Sequence, residues 1–237
     1  MTTGTLYLLP VPLGEDTLDS VLPADVISIA RRLTHFIVEA PKTARHMLKA
    51  FGTPHELRSL WMQELNEHTQ DKELAALLAP LLAGHDVGLM SEAGCPGVAD
   101  PGANLIRLAH ARGIRVAPLV GPSSILLALM ASGANGQKFR FNGYLPADGA
   151  ARIDAIRKLE QDSAKLKQAE LFIETPYRNG ALFEALLATC RPQTLLTVAR
   201  DITTADEMIV TREAGQWKKQ GTPDLHKRPT VFVLYAG

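Results

Sequence analysis

The chain contains 237 residues, with 25 Lys+Arg against 25 Asp+Glu, 46% hydrophobic residues and 5% aromatic residues. This length predicts one large or two small domains, and the composition is typical of a globular chain and not of a disordered one. A net charge of zero argues against a strong nonspecific nucleic-acid binder. Because two cysteines, Cys95 and Cys190, are too few for a disulfide framework, we expect a soluble cytoplasmic protein.

Targeting signals and membrane spans are not expected. The N-terminus has no basic segment before an apolar run, and no apolar run approaches the roughly 18–20 residues of a membrane helix. The charge is unevenly spread, however. Residues 1–121 hold 10 Lys+Arg and 13 Asp+Glu, a balance of −3, whereas residues 122–237 hold 15 and 12, a balance of +3. The basic excess indicates solvated surface or, alternatively, an anionic partner at the second half.

Short apolar runs alternate with helix-length amphipathic segments in the first half. The predicted strands are 5–10, 34–39, 56–61, 86–91 and 114–120. The predicted helices are 17–32, 43–51, 69–83, 103–112 and 123–132. Gly52, Gly84 and Gly113 each follow a helical segment, where a left-handed C-terminal cap favours glycine. This alternation predicts a mostly parallel sheet.

The second half is expected to form a mixed sheet. Its predicted strands are 138–145, 170–174, 194–199, 207–211 and 230–236, with helices at 151–168 and 180–189. Because 201–205 is too short for a crossover helix, the strands beside it are predicted to be antiparallel. The segment Gly-Ala-Asn-Gly at 133–136 indicates a linker. We therefore predict two α/β domains, 1–132 and 137–237.

Ligands of open α/β sheets bind at the carboxyl ends of strands, so the loops there are the candidate sites. In the first half these loops are 10–16, 91–102 and 121–124. The sequence has neither a P-loop nor a Gly-x-Gly-x-x-Gly turn, and proline, which lacks an N–H, follows the first strand. A ligand without phosphates, bound through backbone groups, is therefore favoured. The seven histidines lack zinc-ligand spacing, so no metal site is expected.

Three segments at the ends of predicted strands, one in the first half and two in the second, carry motifs of a known family. Ser-Glu-Ala-Gly-Cys-Pro at 91–96, with Asp-Pro-Gly at 100–102, is similar to S-D-A-G-T-P and D-P-G. Phe-Ile-Glu-Thr-Pro-Tyr-Arg at 172–178 is similar to F-Y-E-S-P-H-R, and 199–203 is similar to A-R-E-L-T. The chain thus resembles the tetrapyrrole methylases, which use S-adenosylmethionine (SAM). It is most similar to the branch that 2′-O-methylates a ribose of small-subunit ribosomal RNA.

The resemblance implies two α/β domains with SAM in the cleft between them, usually in a homodimer. The implied SAM-binding residues are Pro12, Leu13, Ser91, Ala93, Gly94, Cys95, Val98, Ser123, Ser124, Glu174, Ala199 and Thr230. If the methyl acceptor is a hydroxyl group, a base assists its deprotonation. The candidate catalytic residues are Glu39, Glu92, Glu174, Asp201 and Arg178, with Lys42 and Arg45 as further anion contacts. Glu174 and Asp201 have the alternative role of anchoring their loops to Arg178 and Arg200.

The sequence also departs from the pattern of that branch. A-E-D-T-R after the second strand is replaced by the longer segment 38–45, and an aspartate, a threonine and a histidine are replaced by Glu92, Cys95 and Tyr177. A lysine is replaced by Asp148, and we expect this chain, which ends at Gly237, to lack the helical C-terminal domain of the branch. Most of these changes lie where the methyl acceptor, not SAM, is expected to bind.

We therefore expect a SAM-dependent methyltransferase whose acceptor is a ribose hydroxyl of ribosomal RNA. Two alternatives remain open. One is a methyltransferase that acts on a tetrapyrrole-like or other small molecule, and the other is a SAM-binding protein without catalytic activity.

Overall fold

A computed structural model describes residues 2–15, 17–66 and 68–237, so Asp16 of the predicted loop 10–16 lies outside the described residues. The chain divides into two compact units, residues 1–123 and 124–237. Within the described residues, no helix has the length and apolarity that a membrane span requires.

The first unit is built on a five-stranded parallel sheet with the order β3-β2-β4-β1-β5. Its strands are β1 (Thr5–Leu8), β2 (His35–Val38), β3 (Trp61–Glu64), β4 (Val87–Met90) and β5 (Arg115–Pro118). Its helices are α1 (Leu18–Val21), α2 (Ala24–Arg32), α3 (Pro41–Phe51), α4 (Asp71–Leu77), α5 (Ala79–Leu82) and α6 (Gly102–Ala111). The predicted parallel sheet is confirmed, and β1 and β4 lie side by side at its centre.

Both faces of this sheet are covered, because successive side chains of a strand point to opposite faces. Phe36 and Val38 pack with Leu48 and Phe51 of α3 on one face. Ile37, between them, packs on the other face with the apolar side chains of α4, α5 and α6. Each such fully buried side chain contributes roughly 1.5–3 kcal/mol. This two-sided burial explains why the strands lack polar alternation.

Three predicted elements of the first unit differ from the structure. The strand expected at 56–61 begins only at Trp61, because residues 56–59 form a turn in which Ser59 N–H donates to Glu56 O at 2.9 Å. The helix expected at 17–32 is interrupted at Leu22 and Pro23. The helix expected at 69–83 breaks at Leu78, since proline two residues later has no N–H for helical hydrogen bonding.

The second unit contains a mixed sheet with the order β6-β7-β10-β8-β9, as expected. Its strands are β6 (Phe139–Tyr144), β7 (Ala169–Ile173), β8 (Leu195–Arg200), β9 (Met208–Glu213) and β10 (Thr230–Tyr235). Its helices are α7 (Ser124–Ser132), α8 (Gly149–Leu166), α9 (Asn179–Thr189) and α10 (Ala214–Gln220). β6 and β7 are parallel, whereas the other neighbouring strands are antiparallel.

The helix α7 belongs to the second unit. It packs on β9 and β10, and Thr211 Oγ1 donates a hydrogen bond to Ser132 O at 2.9 Å. The boundary between the two compact units therefore lies before α7, at residues 123 and 124, and not at residues 133–136. α10 was not predicted from the sequence. It is fixed to the unit by Trp217, whose buried ring lies edge-on to Phe183 and whose indole N–H donates to Leu196 O.

Candidate functional site

The loops after β1 and β4 are joined by a pair of backbone hydrogen bonds. Val11 N–H donates to Gly94 O at 3.0 Å, and Gly94 N–H donates to Val11 O at 3.1 Å. Gly94 has φ +75°, a conformation that glycine adopts without strain. A Cβ atom at this position would come within 3.3 Å of Leu13 Cδ2. The two central loops are thus held together where only a residue without a side chain fits easily.

The β4 loop is closed on itself by one carboxylate. Asp100 Oδ1 accepts hydrogen bonds from the N–H groups of Gly97 at 2.7 Å and Gly102 at 2.8 Å. Burial raises the pKa of Asp100, and the two backbone hydrogen bonds oppose that rise. Within the same loop Ser91 Oγ donates to Ala93 O at 3.2 Å. The loop therefore has a defined shape before any ligand binds.

Cys95 ties the β4 loop to the loop after β5. Its Sγ lies 3.3 Å from Pro122 O and donates a hydrogen bond to it. Burial raises the pKa of the Cys95 thiol. The thiol is therefore kept protonated at neutral pH, and a protonated thiol is a poor nucleophile. Nearby Val98 leaves half of its surface exposed at the same edge, where it is free to contact a ligand.

Two candidate acids of the first unit are brought together by the structure. Glu39 follows β2, and its Oε2 accepts a hydrogen bond from Glu92 N–H at 3.0 Å. Thr43 Oγ1 on α3 donates to Glu92 Oε1 at 3.2 Å. Lys42 and Arg45 are exposed on the same helix. These two hydrogen bonds orient the carboxylates of Glu39 and Glu92, which belong to loops that are distant in sequence.

A cavity of about 770 Å³ lies within the first unit beside these residues, which is a size typical of small-molecule sites. Its lining includes the expected residues Pro12, Leu13, Glu92 and Ala93. It also includes side chains of α3 that were not predicted, namely Thr43, His46, Met47 and Ala50. Their spacing of three, four and seven residues places them on one helix face, and that periodicity is the signal in the sequence that could have found them.

In the second unit, the carboxyl ends of β6, β7 and β8 and the amino ends of β9 and β10 lie at one edge of the sheet. Glu174 follows β7, and its side chain is fully buried. Its Oε1 accepts hydrogen bonds from Thr175 N–H at 2.6 Å and from Arg178 Nη2 at 2.7 Å. The expected loop anchor between Glu174 and Arg178 is therefore present.

Asp201, after β8, is similarly held by two arginines. Its Oδ2 lies 3.2 Å from Arg200 Nη1 and 3.1 Å from Arg228 Nη1. The hydrogen bond that Arg228 donates to Asp206 and the negative charge of Asp201 raise the pKa of Arg228. With both cations on one carboxylate oxygen, Asp201 is better placed to anchor its loop than to accept a proton.

Five buried side-chain atoms have no hydrogen-bond partner among the described residues, and all five lie at this edge of the second sheet. They are Arg152 Nε, Glu174 Oε2, Asn179 Oδ1, Arg200 Nε and Thr203 Oγ1. A buried polar atom without a partner costs roughly 1–3 kcal/mol. The edge therefore presents donors and acceptors that a bound ligand or water could satisfy.

The remaining predicted residues lie in β8, at the start of β10 and at the boundary in sequence between the two units. Ala199 is fully buried within β8, and Thr230, at the start of β10, donates its hydroxyl hydrogen to Arg228 O at 2.9 Å. Ser123 ends the first unit and Ser124 begins α7 of the second. No group of three or more His, Cys, Asp or Glu side chains within the described ranges could hold a metal ion.

Comparison with known proteins identifies the family. Residues 16–217 match the family model of the tetrapyrrole (corrin/porphyrin) methylases. The chain belongs to the tetrapyrrole methylase family. It is a methyltransferase, as the resemblance implied.

Several curated proteins are similar to this methylase over almost its whole length. Ribosomal RNA small subunit methyltransferase I of Xylella fastidiosa is 30% identical over 98% of this chain and 81% of that protein. The protein of the same name from Escherichia coli O157:H7 is 30% identical, over 98% and 77% of the two chains. That of Micromonospora olivasterospora is 34% identical, over 99% and 71%.

Solved structures support the fold of this methylase. The methyltransferase CobJ matches with a TM-score of 0.64 and 20% identity, covering 99% of this chain and 94% of that one. Uroporphyrin-III-C-methyltransferase from Thermus thermophilus matches with a TM-score of 0.57 and 18% identity, over 98% and 94%. At these identities the similarity shows the two-sheet α/β architecture alone.

Proposed function

We propose that this methylase transfers the methyl group of SAM to a ribose hydroxyl of small-subunit ribosomal RNA. The observation that carries the proposal is the joined pair of loops after β1 and β4, beside a cavity that carries a carboxylate, Glu92. The names of the relatives at 30–34% identity support RNA as the acceptor. A homodimeric state and a cytoplasmic location are part of the same proposal.

The residues of the first unit fit SAM as a ligand. Pro10 and Pro12 remove two N–H groups from the β1 loop, which disfavours phosphate and suits a ligand without it. Gly94 leaves a backbone cradle that a Cβ atom would narrow. We assign Pro12, Leu13, Ala93, Gly94, Cys95 and Val98, with Ser91 and Ser123, to this binding surface. In the second unit, Glu174, Ala199, Ser124 and Thr230 stay candidate ligand contacts.

SAM supplies an electrophilic methyl group on a sulfonium when it is bound. Positioning of the acceptor accounts for most of the catalysis of such an in-line displacement, because well-oriented reactants gain roughly 7–11 kcal/mol. The protein's further contribution is a base for the acceptor hydroxyl. Glu92 lines the cavity and is our candidate for that base, whereas Glu39 positions the backbone of Glu92.

Methyl transfer to RNA tests this function. We expect the purified protein to transfer labelled methyl groups from SAM to unmodified small-subunit RNA and to yield a 2′-O-methylated nucleotide. The substitution Glu92→Gln is expected to slow transfer roughly 10²- to 10⁴-fold, since it removes the base. SAM binding is expected to persist. Glu56→Gln, at an exposed turn before β3, is the matched control and should retain full activity.

The same assay separates the alternatives. Methylation of a tetrapyrrole but not of RNA would replace the proposed acceptor with a small molecule. SAM binding without transfer to either substrate would instead favour a binding protein without catalytic activity.

A further inference from the structure

Tyr177, His226 and Lys227 form an exposed group at the edge of the second sheet, which we call the Tyr177 cluster. Tyr177 leaves 70% of its surface exposed. The His226 ring lies edge-on to it, with the two ring centroids 6.0 Å apart. Lys227 Nζ lies 5.8 Å from the Tyr177 ring centroid. An exposed aromatic ring beside a cation is the arrangement with which proteins stack on nucleobases and contact phosphates.

The cluster is held in place by contacts below it. Lys227 has φ +60°, and its N–H donates to Pro176 O at 3.1 Å, which joins the two loops that carry the cluster. Leu225 is buried in the core just before it. Asn179 Nδ2 donates to Arg228 O at 2.7 Å on the other side. Binding of a ligand here therefore carries only a small entropic cost for ordering the loops.

Lys227 supplies the uncompensated positive charge of this region. Arg178 is paired with Glu174 at 2.7 Å, and Arg228 is paired with Asp206 at 3.1 Å. Lys227 is exposed and forms no ion pair with the rest of the described chain. An anionic group that approaches the Tyr177 ring therefore meets a free ammonium group.

We infer that Tyr177 stacks on an unpaired base of the RNA acceptor and that Lys227 contacts an adjacent phosphate. This inference rests on the proposed function and identifies a recognition surface for it. Single-stranded RNA fits because its bases are splayed out and stack on aromatic side chains. A tetrapyrrole macrocycle would instead need a broad apolar surface, whereas the cluster offers one exposed ring and polar neighbours.

Binding of an unstructured oligoribonucleotide at several salt concentrations tests this inference. Loss of one base stack in Tyr177→Leu should weaken binding roughly 5- to 100-fold at every salt concentration. Tyr177→Phe should bind like the unsubstituted protein, because stacking requires the ring and not the hydroxyl. Lys227→Gln should reduce the slope of log affinity against log salt by about 0.7, the value for one phosphate contact on a single strand.

Matched controls lie elsewhere on the same unit. Phe139→Leu changes an exposed aromatic residue at the amino end of β6, away from the sheet edge that carries the Tyr177 cluster. Lys219→Gln changes an exposed lysine of α10. Both should leave RNA affinity unchanged, and all variants should bind SAM equally.

The outcomes distinguish this inference from the proposed function. If the unsubstituted protein methylates RNA and Tyr177→Leu binds RNA as tightly, the Tyr177 cluster is not the recognition surface. The same conclusion follows if Phe139→Leu weakens binding equally. Failure of the unsubstituted protein to bind RNA, with SAM binding intact, would overturn both the RNA acceptor and the cluster.

Discussion

At the scale of single residues, the two cysteines differ in how strongly the protein suppresses their reactivity. Burial and the neighbouring Glu160 raise the pKa of Cys190 to about 12, so this thiol is almost entirely protonated near pH 8. Cys95 is only partly buried and lies in the proposed SAM-binding surface. Its thiol should therefore be the more reactive of the two in the folded protein.

Alkylation with iodoacetamide near pH 8, followed by peptide mass spectrometry, checks this difference. We expect slow labelling of Cys95, no labelling of Cys190 before unfolding, and protection of Cys95 by saturating S-adenosylhomocysteine. Rapid labelling of Cys190 in the folded protein would contradict the burial described here. If Cys95 is labelled at the same rate with and without S-adenosylhomocysteine, Cys95 does not belong to the binding surface.

The sequence predicted the candidate carboxylates but could not assign their roles. Whether Glu174 and Asp201 act on a proton or anchor a loop depends on which cations lie beside them. Arg178 is close in sequence to Glu174, and that pair was foreseen. The contact of Asp201 with Arg228 spans 27 residues and depends on the pairing of β8 with β10, which no local pattern specifies.

At the scale of elements, two histidines meet at the amino edge of the first sheet. His35 begins β2 and His85 precedes β4, and their rings stack with centroids 4.6 Å apart. Burial, and then the neighbouring His85, lower the pKa of His35 below 6.5. The unfolded chain therefore binds this proton more tightly than the folded protein does. The contribution of His35 to stability is complete above about pH 6.5 and is lost as the pH falls through its folded-state pKa.

Urea unfolding between about pH 7.5 and 5.5 measures this effect. The free energy of unfolding should decrease with falling pH in the unsubstituted protein and decrease less in His35→Gln. His110→Gln, on the exposed surface of α6, should retain the full decrease. An unchanged pH dependence in His35→Gln would show that the stacked pair does not contribute.

The periodicity of apolar residues was sufficient to predict the bounds of the long helices but not to predict the short elements. α3, α6 and α9 have glycine caps or apolar faces that mark their bounds within two residues. α10 has seven residues and follows β9 directly, so no loop signal separates the two. β3 was misplaced because the apolar residues before it, including Leu57 and Leu60, contact the core from a turn.

At the scale of the whole molecule, two units with different sheets follow from the connections between strands. Helical crossovers connect the parallel strands of residues 1–123, whereas the short 201–205 connection joins the antiparallel pair β8 and β9 of the second unit. The place of α7 could not be predicted, because its sequence is apolar on all sides and fits either unit. Its packing on β9 and β10 is determined by tertiary contacts and not by its own sequence pattern.

We propose that the joined loops after β1 and β4 bind SAM, and calorimetric titration with SAM and S-adenosylhomocysteine tests this binding directly. Gly94→Asn and Gly113→Asn form a matched pair, because both glycines have positive φ but only at Gly94 would a Cβ atom meet other atoms within 4 Å, namely Leu13 Cδ2 and Pro122 O. Each substitution should cost about 1 kcal/mol of stability, because a residue with a side chain is disfavoured in the left-handed conformation. We expect micromolar binding that Gly113→Asn retains and that Gly94→Asn weakens roughly 5- to 100-fold. Equal affinity in both variants, or no binding by the unsubstituted protein, would contradict it.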